Sequence, residues 1–174
     1  DVTVPSFMEP ECYPANKLCQ LFKIKPVRDK HTIQFLWFYE YQGKDYYEKI
    51  LRILGHVLGH EGENSLLSYL IAEDLATTLS SYSDHELSVF SYFDVNITLT
   101  DHGFKNYEKV IEIVGKAVKN LIAEGALDHV FEEISKDGAL KWKYLEKSDA
   151  TNTAVNTSDR MHLFTDENIK DMYE

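Results

Sequence analysis

His56 and His60 stand four residues apart in the run Leu54-Gly-His-Val-Leu-Gly-His-Glu-Gly62. On a helix that spacing puts both imidazoles on one face, where they can reach a single metal ion. Hydrolysis at such a metal also needs a general base beside the bound water. Gly59, between the two histidines, has no side chain to serve as one. Two readings of the pair are open: ligands of a vestigial or adventitious metal site, or histidines that close a helix end. Other chemistries find less footing. Ser65 adjoins His60 without a nucleophile-elbow setting. Cys12 and Cys19 sit in a proline-bearing leader without a context for nucleophilic attack. The chain has no phosphate loop and no dinucleotide fingerprint.

The charge balance narrows the partners. Lys and Arg number 18 against 29 Asp and Glu, a net charge of −11, which disfavours nucleic acid and an anionic membrane. A basic or amphipathic peptide suits that charge better. No signal-peptide pattern opens the chain, and no apolar run approaches the roughly 18 residues a membrane helix needs. Two cysteines are too few for a disulfide scaffold and favour reduced thiols, hence a cytoplasmic setting. Asn96-Ile-Thr98 and Asn156-Thr-Ser158 match the glycosylation pattern, which is common by chance.

The elements that position these residues follow from periodicity. Residues 1–19 carry three of the four prolines and read as a linker, followed by one domain over 20–174. Strands are expected over Leu21–Pro26, His31–Tyr39, Thr77–Tyr82 and Leu87–Thr98. In the last, Leu87, Val89, Phe93, Val95 and Ile97 alternate with mostly polar residues. Helices are expected over Asp45–His60, Asn64–Leu75, Asp101–Ala123 and Leu127–Lys147, from apolar stripes at i, i+3, i+4 and i+7. Ser148–Asp159 reads as a polar loop, and Thr165 as the N-cap of a last helix cut off by the chain end. The order predicts an α+β fold: an antiparallel or mixed sheet with helices packed on one face. Tyr39, Tyr41, Tyr46 and Tyr47 crowd the approach to the first helix, either as ordinary packing or as an aromatic clamp on a peptide.

The segment Gly55-His-Val-Leu-Gly-His-Glu-Gly-Glu-Asn-Ser-Leu-Leu67 resembles a signature of the insulinase/pitrilysin-type zinc metallopeptidase family, in the second, non-catalytic domain of the N-terminal half. Leu21-Phe-Lys-Ile-Lys-Pro-Val27, Phe93 to Gly103, Asn120 to Gly125 and Val130-Phe-Glu-Glu133 resemble later and earlier parts of that domain in the same order. The resemblance implies an insulinase-type α+β domain, preceded by a missing catalytic domain and truncated at its C-terminal end. It also implies a parent zinc endopeptidase of four similar domains enclosing short peptides. The family's zinc motif, His-x-x-Glu-His, occurs nowhere in this chain. The segment is therefore expected to have no peptidase activity and no cofactor, with zinc held in the parent's catalytic domain. A relic of a metal site would use His56, His60 and Glu133.

Carried over by position, the family's anchoring surface for the N-terminal part of a peptide maps to His60, Glu61, Gly62 and Glu63, with Leu79, Ser80, Ser81 and Tyr82. Relatives carry glycines near Ser81 and Tyr82, so these two side chains are expected to narrow the site or change which peptides fit. The plainer reading is that Gly55, Gly59 and Gly62 only permit a tight helix–helix turn. The expected partners are peptide substrates and the parent's other domains. The alternative is a domain of an inactive family member that serves as a peptide-binding or interaction subunit.

Overall fold

The computed structural model describes residues 14–39, 50–84, 90–125, 128–147 and 149–161. These divide into two compact units, Asp1–Gly125 and Ala126–Glu174.

In the first unit, a turn of 3₁₀ helix at Ala15–Lys17 precedes β1 (Thr32–Tyr39), α1 (Ile50–Leu58), α2 (Leu66–Ala72), β2 (Ala76–Asp84), β3 (Ser91–Leu99), α3 (Asp101–Lys105) and α4 (Tyr107–Glu124). The strands form one sheet in the order β1-β3-β2, with both pairings antiparallel. β1 and β2 therefore run parallel to each other on either side of β3, and α1 and α2 lie in the connection between them. Period-two alternation decides which side chains meet the helices. Phe93, Val95, Ile97 and Leu99 of β3 are buried with Leu79 of β2, and Ile33, Phe35 and Tyr39 of β1 pack against them. Leu58, Leu67, Leu70, Val110 and Val114 from α1, α2 and α4 complete that core. The opposite face of the sheet carries Gln34, Leu36 and Phe38, then Tyr92, Asp94 and Asn96, then Ser80 and Tyr82.

Local chemistry sets the helix ends. Ser65 caps α2, its Oγ accepting from the Ser68 N–H at 3.1 Å. The other end closes in a Schellman arrangement: the Leu75 N–H donates to the Leu70 carbonyl at 2.8 Å and the Asp74 N–H to that of Ile71 at 2.9 Å. Leu70 and Leu75, at the two ends of that bond, are both fully buried. Asp74 pays for the turn with a φ of 55°, a region glycine adopts without strain. Asp74→Gly should raise stability by about 0.5–1 kcal/mol, read as a higher urea midpoint at unchanged slope.

Four expectations are corrected. Leu21–Pro26 is not a strand: it is irregular, and Phe22 and Ile24 stand exposed at 74% and 83%. Strand propensity is realised only against a pairing neighbour, and among the described residues it has none. The helix expected over Asp101–Ala123 breaks at Asn106, whose Nδ2 donates to the His102 carbonyl at 2.8 Å and so ends α3 before α4 begins. Ser148–Asp159 is not a loop. In the second unit, α5 (Asp128–Lys143) is followed by α6 (Ala150–Arg160), started by Asp149, whose Oδ1 accepts from the N–H groups of Thr151 and Asn152 at 2.8 and 3.2 Å. The cap marks a helix start that the polar composition hid. The fourth is a boundary: β2 runs two residues past Tyr82, to Asp84. Leu87, Val89, Tyr41, Tyr46, Tyr47, Cys12 and Thr165 lie outside the described residues. Cys19 is a free, exposed thiol.

Candidate functional site: a sheet edge beside the histidine loop

α1 lies directly on β2, and glycine makes the approach possible. A Cβ at Gly59 would stand 2.6 Å from the Ser81 Oγ, and one at Gly55 would touch the Ser81 carbonyl oxygen at 3.8 Å. The Ser81 hydroxyl donates to the Gly55 carbonyl at 2.6 Å. Gly55, Gly59 and Ser81 thus form one helix–strand contact, which sets the loop after α1 beside the middle of β2.

That loop is closed by its own side chain. The Gly62 N–H donates to His60 Nδ1 at 3.0 Å, which leaves Nε2 as the ring nitrogen facing outward to donate. A Cβ at Gly62 would overlap the His60 ring, so a larger residue there would push the imidazole off the turn. The Ser65 N–H then donates to the Gly62 carbonyl at 3.2 Å, leading the chain into α2. His60, Glu61 and Glu63 are exposed, leaving an imidazole N–H and two carboxylates at the surface.

The metal reading meets a different geometry. The His56 and His60 rings stand edge to face with centroids 6.3 Å apart. His60 lies beyond the end of α1 rather than on it, and its Nδ1 is engaged by Gly62. Glu133 is exposed on α5, in the second unit. Among the described residues no three His, Cys, Asp or Glu side chains are grouped to hold a metal ion. With Gly59 in place of a base, the residues present do not fit a catalytic zinc centre.

The register of the sheet shows what β2 offers on its outer side. Next to the Thr32–Thr98 pair, the Leu99 N–H donates to the His31 carbonyl at 2.9 Å. Antiparallel ladders alternate, so the backbone groups of Leu99, Ile97, Val95 and Phe93 turn to β1 and those of Thr98, Asn96 and Asp94 to β2. Their β2 partners Thr78, Ser80 and Tyr82 therefore bond inward. The N–H and C=O of Leu79 and Ser81 point away from β3, along an edge that meets no other strand among the described residues. The pleat sends their side chains the other way: Leu79 is core at 5% exposure and Ser81 meets α1. Ser81 therefore fills the helix–strand contact and leaves the open face unobstructed. Of the two residues expected to narrow the site, only Tyr82 projects there, 48% exposed, with its hydroxyl 3.3 Å from Asp94 Oδ2.

Asp94 is the residue that sequence reasoning passed over. It is fully buried on the non-helical face, in a strand where its neighbours alternate as expected. Its Oδ2 accepts from Gln34 Nε2 and the Tyr82 hydroxyl, while Oδ1 has no hydrogen-bond partner among the described residues. The available signal was an acidic side chain at the centre of a strand flanked on both sides.

This is the α+β architecture of pitrilysin, whose crystal structure matches with a TM-score of 0.74 at 16% identity, over 83% of this chain and 16% of that one. The model of the Peptidase M16 inactive domain matches residues 4–136. Nardilysin of Rattus norvegicus is 31% identical over 149 residues, 83% of this chain and 13% of that protein. Insulin-degrading enzyme of Homo sapiens is 30% identical over 147 residues, 84% of this chain and 14% of that enzyme. The chain belongs to the M16, insulinase-type, metallopeptidase family, through the domain that the family describes as inactive. It spans only a small part of the length of the curated relatives it matches.

Proposed function

We propose that this chain is the peptide-anchoring wall of a larger insulinase-type zinc endopeptidase, holding the N-terminal part of a substrate while the chemistry takes place in another domain. The observation that carries the reading is the outer edge of β2. Leu79 and Ser81 present outward N–H and C=O groups beside the exposed loop His60–Glu63. An extended peptide adds to such an edge as a further strand, and backbone pairing serves many sequences alike. The His60 Nε2–H is a donor for a peptide carbonyl, and Glu61 and Glu63 supply negative charge for the terminal ammonium. Ser80 and Tyr82 border the added strand on the open face.

The role of the loop is tested separately from that of the strand. Glu61→Gln in the full-length protein should raise KM for peptides with a free N-terminus about three- to tenfold, the loss of one partly exposed charge-assisted contact. Acetylated versions of the same peptides should be unaffected, because they carry no ammonium. Equal losses for both would mean that Glu61 only supports the loop.

A further inference from the structure

Asp94 poses a chemical question that the fold does not answer. A carboxylate with no exposed surface has one oxygen shared by two neutral donors and the other with no partner among the described residues. Leaving a buried carboxyl oxygen without a hydrogen bond is costly, and such a group calls for a water, an ion, a ligand or a partner to complete it. The missing complement is a hydrogen-bond donor, and for a carboxylate the strongest is a cation.

The surroundings say from which direction it comes. Asp94 pairs in register with Tyr82 on β2 and with Leu36 on β1, so Tyr82 lies between Asp94 and the outer edge of the sheet. Gln34 and Tyr82, the two side chains that close over the carboxylate, are themselves exposed. The Tyr82 bond, at 3.3 Å, is the long one and yields readily to a charged competitor. Strands in a sheet are about 4.8 Å apart, so a peptide residue on the open face of a strand added to β2 has its Cβ roughly 10 Å from that of Asp94. An extended arginine reaches roughly 6 Å beyond its Cβ, and the carboxylate and one hydrogen bond span the remainder. On the way, its guanidinium crosses the Tyr82 ring, a surface to which this group binds well.

We propose that Asp94 is the receiving group for an arginine side chain of the peptide that pairs with β2, so that this anchoring surface selects basic segments. The guanidinium displaces the Tyr82 hydroxyl, takes both carboxylate oxygens in the bidentate manner, and lies against the tyrosine face. The inference rests on the strand-addition reading of β2 and adds a side-chain preference to it. Backbone pairing alone is indifferent to sequence; Asp94 is what makes it discriminate.

The test uses the full-length protein and two acetylated, amidated eight-residue peptides of Ser and Val. One has a single central arginine and the other citrulline, its neutral isostere. Both carry a fluorophore for polarisation binding. Wild-type protein should bind the arginine peptide about tenfold more tightly. Asp94→Asn and Asp94→Ser should remove that preference, so that arginine and citrulline peptides bind alike, while thermal melts report that each variant is folded. Ser81→Pro should weaken both peptides by the same factor. Equal affinities for the two peptides on wild-type protein, or a preference that survives both Asp94 variants, would overturn the Asp94 assignment and leave the edge reading standing. A preference that vanishes in the Asp94 variants while Ser81→Pro changes nothing would overturn the strand-addition reading, and with it the proposal as stated. Binding of neither peptide to wild-type protein would overturn both.

Discussion

Gly103→Ala should cost about 3 kcal/mol or more, enough to remove much of the stability of a domain of this size. Gly103 is buried at the start of α3, where that helix meets the turn between α2 and β2. A Cβ there would overlap the carbonyl oxygen of Leu75 and stand 2.7 Å from its carbonyl carbon and 3.0 Å from its Cα. These are backbone atoms and cannot swing aside. The same turn is tied from both sides: the Thr100 hydroxyl donates to the Asp74 carbonyl at 2.6 Å and accepts from the Gly103 N–H at 2.9 Å, and the Thr100 N–H donates to the Leu75 carbonyl at 3.2 Å. Relief of the overlap must therefore break the α3 cap, move the end of α2, or both. Gly115→Ala is the control. It lies within α4 with nothing inside 4 Å of a new Cβ, and should gain about 0.5–1 kcal/mol from helix propensity. Urea unfolding of both variants measures the difference. Similar stabilities would mean that the close approach of α3 to Leu75 does not exist.

Ser81→Pro should abolish most binding of long peptides, on the order of a tenfold or greater rise in KM, and should also cost some stability where the ring meets Gly55 and Gly59. The Ser81 N–H points away from β3, so proline removes a donor that the native sheet does not use, and an edge strand tolerates it there. The hydroxyl bond to the Gly55 carbonyl goes too, at a cost of about 1 kcal/mol. Ser80→Pro, one residue away, should behave in the opposite sense. The Ser80 N–H faces Asn96 in the ladder, and its loss should destabilise the sheet by about 1–3 kcal/mol. Thermal melts together with KM for long and very short peptides separate the two. If both prolines destabilise alike, the outward assignment of Ser81 fails. If Ser81→Pro leaves long-peptide KM unchanged, β2 is not the anchoring edge.

The sequence by itself determined the family and most of the frame. The run Gly55-His-Val-Leu-Gly-His-Glu-Gly62 carries its own physical logic: glycines at 55 and 59 where α1 and its end come close to Ser81, and a glycine at 62 beneath the His60 ring. Alternation in Phe93, Val95 and Ile97, and the stripe through Val110 and Val114, identified which faces are buried, because periodicity records burial directly. Where burial was not the cause, pattern reading failed. Leu21–Pro26 had strand composition without a strand to pair with, and 149–160 formed a helix from a capping aspartate in a stretch with no apolar face. A single continuous stripe also hid the break at Asn106, since a side-chain hydrogen bond to the His102 carbonyl leaves no mark on hydrophobic period.

What only the tertiary structure decided is the meaning of individual positions on β2 and β3. In sequence, Leu79, Ser80, Ser81 and Tyr82 were one stretch of candidate peptide contacts. Pairing to β3 sorts them by pleat and by ladder: Leu79 and Ser81 give side chains to the interior and backbone to the edge, while Ser80 and Tyr82 do the reverse. Asp94 was one polar residue among several in an alternating strand. Its significance comes from having neighbours on both sides, Gln34 from one strand and Tyr82 from the other, which bury it and satisfy only one of its oxygens. Register and strand order are long-range facts, set by how distant segments pack, and a local pattern does not contain them.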